Sequence, residues 1–174
     1  MIETMIFLLG SALVTWYSRP HLRLPVTHGF FRFFVFEGLF GLIVLNLRGW
    51  FSDPLAPHQV ASWVLLGLSI YLVVHAVVLL HAAGTPGGSF EQTTHVVRSG
   101  IYRFIRHPMY ASLLCLAWAV FLKSPSLLDG CLALVVSAFV YATAVADERE
   151  CLARFGSDYA AYMRATKRFI PFIF

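Results

Sequence analysis

Val60-Ala-Ser-Trp-Val-Leu-Leu-Gly-Leu-Ser-Ile-Tyr-Leu-Val-Val-His-Ala-Val-Val-Leu-Leu80 is a run of 21 residues without an Asp, Glu, Lys or Arg. As a helix rising about 1.5 Å per residue it reaches about 32 Å, enough to cross a hydrocarbon core about 30 Å thick. The rest of the chain has the same character. Of its 174 residues 59% are hydrophobic and 13% charged, and the mean hydropathy is +0.73. Soluble domains are about 45–50% apolar and about 25% charged. A water-soluble globule of this size could not bury so much apolar surface, which excludes a soluble enzyme. Disorder requires low hydrophobicity and high charge, and is excluded too. The expectation is an integral membrane protein, one compact bundle over residues 1–174.

Working outward, four more apolar runs qualify as spans: Met1–Tyr17, Phe30–Leu47, Pro108–Leu122 and Leu127–Ala146. The expected fold is therefore all-α with about five transmembrane helices. Arg32, Glu37 and Asn46 interrupt the second run; Arg32 and Glu37 either neutralise each other or face the bundle interior. The fourth is short for a crossing, and either enters the core partway or continues into the interface. Ser126 and Asp129 have the spacing of a capping box at the start of the fifth, so the last two runs read as a tight helical hairpin. Met1-Ile-Glu-Thr-Met5 lacks the basic start of a signal peptide, so the first run is read as a retained span.

Orientation follows from the cations. Alternate loops carry Arg19, Arg23 and Arg32, then Arg98, Arg103 and Arg106, then Arg149, Arg154, Arg164, Lys167 and Arg168, which is 11 of the 13 Lys and Arg. Only Arg48 and Lys123 fall on the other side. The expected N-terminus is outside and the C-terminus cytosolic. A basic rim attracted to anionic lipid accounts for the isoelectric point near 9.2 without nucleic acid.

Chemistry can sit only where polar residues interrupt the pattern. Gly84–His107 and the segment from Asp147 onward both fall on the cytosolic side and can meet. Pro108 suits the first position of a helix, whose free N–H groups and partial positive charge, with Arg103 and Arg106 nearby, make a seat for a carboxylate or phosphate. Lipid phosphates compete for the same arginines. Asp147, Glu148 and Glu150 form an acidic cluster that could bind a cation or lock the basic loop. Asp147–Arg168 reads as a charged helix whose stripe, Leu152, Phe155, Tyr159 and Tyr162, lies either on the membrane surface or on the loop as a lid. His75 and His81, six apart, do not share a helical face and read as structural. Gly84-Thr-Pro-Gly-Gly88 lacks the Lys-Ser/Thr of a phosphate loop and is only a turn. Cys115, Cys131 and Cys151 have no paired spacing, so neither disulfide nor metal site is expected.

Two of these stretches carry a resemblance. His95-Val-Val-Arg-Ser-Gly-Ile-Tyr-Arg-Phe-Ile-Arg-His-Pro-Met-Tyr110 resembles the cofactor box of membrane-embedded methyltransferases, the isoprenylcysteine carboxyl methyltransferases and phospholipid N-methyltransferases. Asp147-Glu-Arg-Glu-Cys-Leu-Ala-Arg-Phe-Gly-Ser-Asp-Tyr-Ala-Ala-Tyr162, ending in Arg168-Phe-Ile-Pro171, is similar to their second box, with Asp147 in place of the first Glu. The two boxes stand in the family's order, separated by one hydrophobic hairpin.

The resemblance implies an S-adenosylmethionine-dependent methyltransferase, its cofactor at the cytosolic face between the loop 94–110 and the C-terminal segment 147–174. It implies cofactor-binding roles for His95, Val97, Gly100, Tyr102, Arg106, His107, Pro108, Tyr110, Asp147 and Glu148, and catalytic roles for Glu148, Arg103 and His107. Arg106 with the helix start would suit the cofactor's carboxylate, Glu148 its ammonium, and Tyr102, Tyr110 or His107 its adenine or sulfonium. The acceptor is expected to be lipophilic and drawn from the bilayer. A phospholipid amine, an isoprenylcysteine-like carboxylate and a small lipophilic thiol are all open, with a lipid amine or other small acceptor preferred. The short chain suggests a prokaryotic inner-membrane protein. The rival class is a non-catalytic small membrane protein, an assembly factor or transporter subunit.

Overall fold

A computed structural model describes residues 2–83 and 95–173. The turn expected at Gly84–Gly88 lies outside the described residues. Among these residues six α-helices follow one another: α1 Ile2–Leu22, α2 His28–Leu45, α3 Pro57–Ala82, α4 Pro108–Phe121, α5 Leu127–Phe155 and α6 Ser157–Ala165. Short 3-10 turns lie at Leu47–Gly49 and Gly100–Arg103. Among the described residues there is no strand, only one isolated parallel bridge between Ile105 and Lys167. The described residues are all-α.

Local chemistry sets the helix starts. Thr27 caps α2, its hydroxyl accepting from the Phe30 amide at 3.3 Å. Proline opens both α3 and α4, where its missing N–H leaves no intrahelical bond unmade. Ser126 caps α5 by accepting from the Asp129 amide at 3.1 Å, and its hydroxyl donates back to the Asp129 carboxylate.

Two helix pairs make the body. α3 packs along α4 and α2 along α5, with α1 against α2 and α4 against α5. Small residues let the helices approach: Ala117 on α4 and Ala133 and Ala144 on α5 are fully buried beside Leu42, Val120, Val136 and Val140. Where lipid offers no hydrophobic drive, hydroxyls tie helices together. Ser62 donates to the Ala119 carbonyl at 2.7 Å and Ser69 to the Ser112 carbonyl at 2.8 Å, joining α3 to α4.

Among the described residues three helices, α2, α3 and α5, are long and apolar enough to cross a membrane, and α4 is a shorter apolar helix. Helix ends differ from the sequence reading in two places. α1 continues past Tyr17 through Pro20 to Leu22. α5 does not stop at Ala146 but runs on for nine residues, carrying Asp147, Glu148 and Glu150 on the same rigid rod as the apolar run. The expected single helix Asp147–Arg168 is instead broken: Gly156, at φ +56°, ends α5, α6 resumes at Ser157, and the chain is extended from Thr166. Only glycine takes that backbone conformation without strain. On α2, Glu37 accepts a hydrogen bond from Ser11 of α1 at 2.7 Å.

Candidate active site

The site forms where the start of α4, the polar continuation of α5 and the tail converge. The tail returns alongside the loop as an extended segment. The Lys167 amide donates to the Phe104 carbonyl (3.2 Å), the Arg106 amide to the Lys167 carbonyl (2.9 Å), and the His107 amide to the Arg168 carbonyl (3.2 Å). Of the stripe expected on the charged segment, Tyr159 and Tyr162 are buried, Tyr162 against the loop's Tyr102 carbonyl, while Leu152 stays exposed.

That backbone ladder delivers two guanidinium groups and one imidazole to one carboxylate. Arg106 Nε donates to Glu148 Oε1 at 2.6 Å, and its Nη1 to the Thr166 carbonyl at 2.7 Å. Arg168 is bidentate on the same group, Nε to Oε1 at 2.9 Å and Nη2 to Oε2 at 2.7 Å. His107 Nε2 lies 3.2 Å from Glu148 Oε1, and its Nδ1 3.6 Å from Asp147 Oδ2. Glu148 and His107 are both only 4% exposed, so these contacts act in a low-dielectric setting. Glu148 lies beyond the apolar run of α5. Burial alone would raise its pKa, but the bonds from His107, Arg168 and Arg106 outweigh it and hold the carboxyl well below the usual carboxylate range. It is an anchor, ionised at any physiological pH.

Aromatic groups surround this cluster. The His107 ring stacks on Tyr110 at 5.3 Å and tilts against Phe169 at 6.2 Å, while the Arg168 guanidinium sits 4.9 Å from the Tyr141 ring centre. Tyr162 of α6 donates its hydroxyl to the Tyr102 carbonyl at 2.7 Å, and Arg98 donates to the Asp158 carbonyl at 2.8 Å. Burial raises the pKa of Tyr102 and of Tyr162, so both hydroxyls stay protonated.

Across the 3-10 turn from this cluster lies a cavity of about 480 Å³, between Leu79 and Ala82 of α3, with Ala83 just beyond it, and the stretch His95–Ser99. Gly100 lets the turn close on α3. It sits at φ +56°, and a Cβ there would come within 2.6 Å of Leu79 Cδ1.

The residues singled out from the sequence thus separate into three groups. Arg106, His107, Pro108, Tyr110, Asp147 and Glu148 come together at the foot of α4. His95 and Val97 line the cavity, and Gly100 and Tyr102 shape the turn between them. Arg103, the last residue of that turn, is exposed and joins neither the cluster nor the cavity lining. Sequence reasoning missed Arg168, whose two bonds to Glu148 make it the main link from the tail. The signal was present: it opens the Arg168-Phe-Ile-Pro171 end of the second box, beside an acidic pair needing cations.

A largely apolar helical bundle with a charged cluster closed over one end defines an integral membrane protein with a polar site at its rim. A model of the phospholipid methyltransferase family matches residues 58–157, more than half of the chain, and the chain belongs to that family. It is 27% identical over 135 residues to methanethiol S-methyltransferase 2 of Bradyrhizobium diazoefficiens, an alignment covering 76% of this chain and 46% of the relative. To methanethiol S-methyltransferase 1 of the same organism it is 25% identical over 123 residues, covering 64% of this chain and 39% of the relative. The chain spans less than half the length of these curated relatives. No solved structure matches it.

Proposed function

We propose that the protein is an S-adenosylmethionine-dependent methyltransferase acting on a small lipophilic acceptor drawn from the bilayer. The observation that carries this reading is the tail docked on the Arg106–Pro108 loop, with Glu148 between them and a cavity alongside. The residues fit the cofactor. Ligand pockets of about 300–1,000 Å³ are usual, and the cavity of about 480 Å³ falls within that range. It offers apolar Leu79, Ala82 and Val97 to a nucleoside, with His95, Arg98 and Ser99 for polar groups. Glu148 Oε2 accepts one bond among the described residues, and a carboxylate accepts about four, so an ammonium can share that oxygen. Arg106 has five N–H donors, and those not directed at Glu148 and Thr166 suit a carboxylate.

The bound cofactor supplies a methyl group on a sulfonium centre. The chain's own residues supply position, dryness and charge. Holding an acceptor at near-attack distance contributes about 7–11 kcal/mol. Arg98, Arg103, Arg106, Lys167 and Arg168 outnumber Asp147, Glu148, Glu150 and Asp158 at this end, which favours an anionic acceptor, a thiolate or carboxylate, over a cationic ammonium. The names of the two relatives favour the thiol. His107, between two carboxylates, is the residue placed to take the acceptor's proton, since Glu148 is held ionised by its three partners. Helices α1 to α5 enter the bilayer, α4 only partway, with the N-terminus outside and the site at the cytosolic boundary, in accord with the 11 cations expected on that side.

Membranes containing the protein, incubated with radiolabelled S-adenosylmethionine and separated into lipid, protein and volatile fractions, test this. Label is expected in the volatile or lipid fraction, and absent with Glu148→Gln. Label in no fraction overturns the reading in favour of a non-catalytic membrane protein.

A further inference from the structure

The outer face of the loop–tail junction is apolar. Phe104 is 46% exposed, Ile170 50%, Phe172 81% and Ile173 75%. One of these comes from the loop and three from the tail, and Phe104 and Phe172 meet edge to face with ring centres 6.1 Å apart. Lys167, on the backbone ladder, and Arg103, one residue before it in the loop, are exposed and make no ion pair among the described residues. Uncompensated cations beside exposed aromatic rings are the composition of a membrane–water boundary.

Depth points the same way. α4 has 14 residues and covers about 21 Å of a hydrocarbon core about 30 Å thick. With its Lys123 end at one boundary, the Pro108 end falls short of the other by about 9 Å. On that placement the loop and the tail paired with it come to lie at or below the headgroups, with Phe104 and Phe172 at the depth of acyl chains and Arg103 and Lys167 at that of headgroup phosphates.

We propose that the face formed by Phe104, Ile170, Phe172 and Ile173, edged by Arg103 and Lys167, is a seat for the anionic bilayer surface, and that lipid engaged there clamps the tail onto the loop. A lipid bound across both partners is lost when they part, so it stabilises the docked arrangement by the whole of its differential affinity. Because Arg106 stands on the loop and Arg168 on the tail, the grip on Glu148 is coupled to the lipid on the other side of the ladder. Arg103 then serves lipid rather than the acceptor. This goes beyond the proposed methyl transfer and does not require it.

Amide hydrogen exchange of the full chain in nanodiscs of phosphatidylcholine or of phosphatidylglycerol tests it. The amides of Arg106, His107 and Lys167, which form the ladder, are expected to exchange more slowly in the anionic lipid, by about five-fold per cation engaged. Lys167→Gln removes one such factor, and Phe172→Ser speeds ladder exchange in both lipids. The amides of Asn46 and Lys123, at the other end of the bundle, report global folding and stay unchanged. Equal ladder exchange in the two lipids, or a lipid effect of equal size at both ends, overturns the proposal. Either result leaves the radiolabel experiment above unaffected, so the two ideas fail separately.

Discussion

The two ends of the bundle bury charge in opposite ways. At the site, Glu148, Arg106, Arg168 and His107 satisfy one another, drawn from three separate pieces of chain. At the far end the buried cation is Lys123, 1% exposed, its ammonium 3.3 Å from the centre of the Trp63 ring and 5.4 Å from that of Trp50. Its Nζ donates to Gln59 Oε1 at 3.1 Å, and Gln59 returns bonds to the carbonyls of Lys123 at 2.9 Å and Gly49 at 2.8 Å. Asn46 and Asp129 close the same end, joined at 3.2 Å. Ring faces and amides hold Lys123 with nothing to exchange. Ion pairs at the site can be shared with a charged ligand, and can be pulled apart by moving the tail. One end is a rivet and the other a clasp.

Removing the clasp's centre is expected to have the largest effect. Glu148→Gln leaves Arg106 and Arg168 buried against a neutral amide and should cost about 3–5 kcal/mol, read as a lowered thermal unfolding midpoint with loss of tail protection. A drop smaller than that of a surface variant would show that the two ends do not differ as described. The same group sets the pH response. Its folded pKa is depressed, so its contribution is complete above the ordinary value of 4.5 and is lost as pH falls through the depressed one. In the Glu148-linked contribution to tail protection, measured against Glu148→Gln, a flat profile from neutral pH to about 5 and decline only in stronger acid is expected. A decline above pH 6 would contradict it.

At the rivet, Trp63→Leu removes the ring face nearest Lys123 and should cost about 2 kcal/mol in thermal unfolding. Cofactor affinity should not change, because nothing at the site touches that ring. The smallest effect belongs to the exposed pair of Arg48 and Glu3, at 2.8 Å with side chains 90% and 46% exposed. Arg48→Gln is expected to leave the unfolding midpoint unchanged.

Much of the fold was legible in the sequence because a bilayer imposes a simple rule: runs of about 20 apolar residues become helices. The starts of α4 and α5 were legible from Pro108 and from Ser126 with Asp129, since those residues act within one helical turn. The continuation of α5 past Ala146 was not, because a change from apolar to charged residues marks the end of a membrane core and not the end of a helix. Gly156 was read only as part of a motif, although its tolerance of positive φ is what separates α5 from α6. Arg106, His107 and Glu148 could be named as partners through the two boxes. Arg168 and Lys123 could not, because their roles depend on where a distant segment returns. A basic residue next to an apolar tail carries no local sign of which carboxylate it will meet.

Calorimetric titration of the full chain in detergent with S-adenosylhomocysteine, beside Arg168→Gln, tests the clasp most directly. Saturable binding by the wild-type chain, weakened about tenfold or more by the substitution, is expected from loss of a charge-assisted contact. Absence of binding by the wild-type chain, or equal affinity in both proteins, would contradict a cofactor site built by the docked tail.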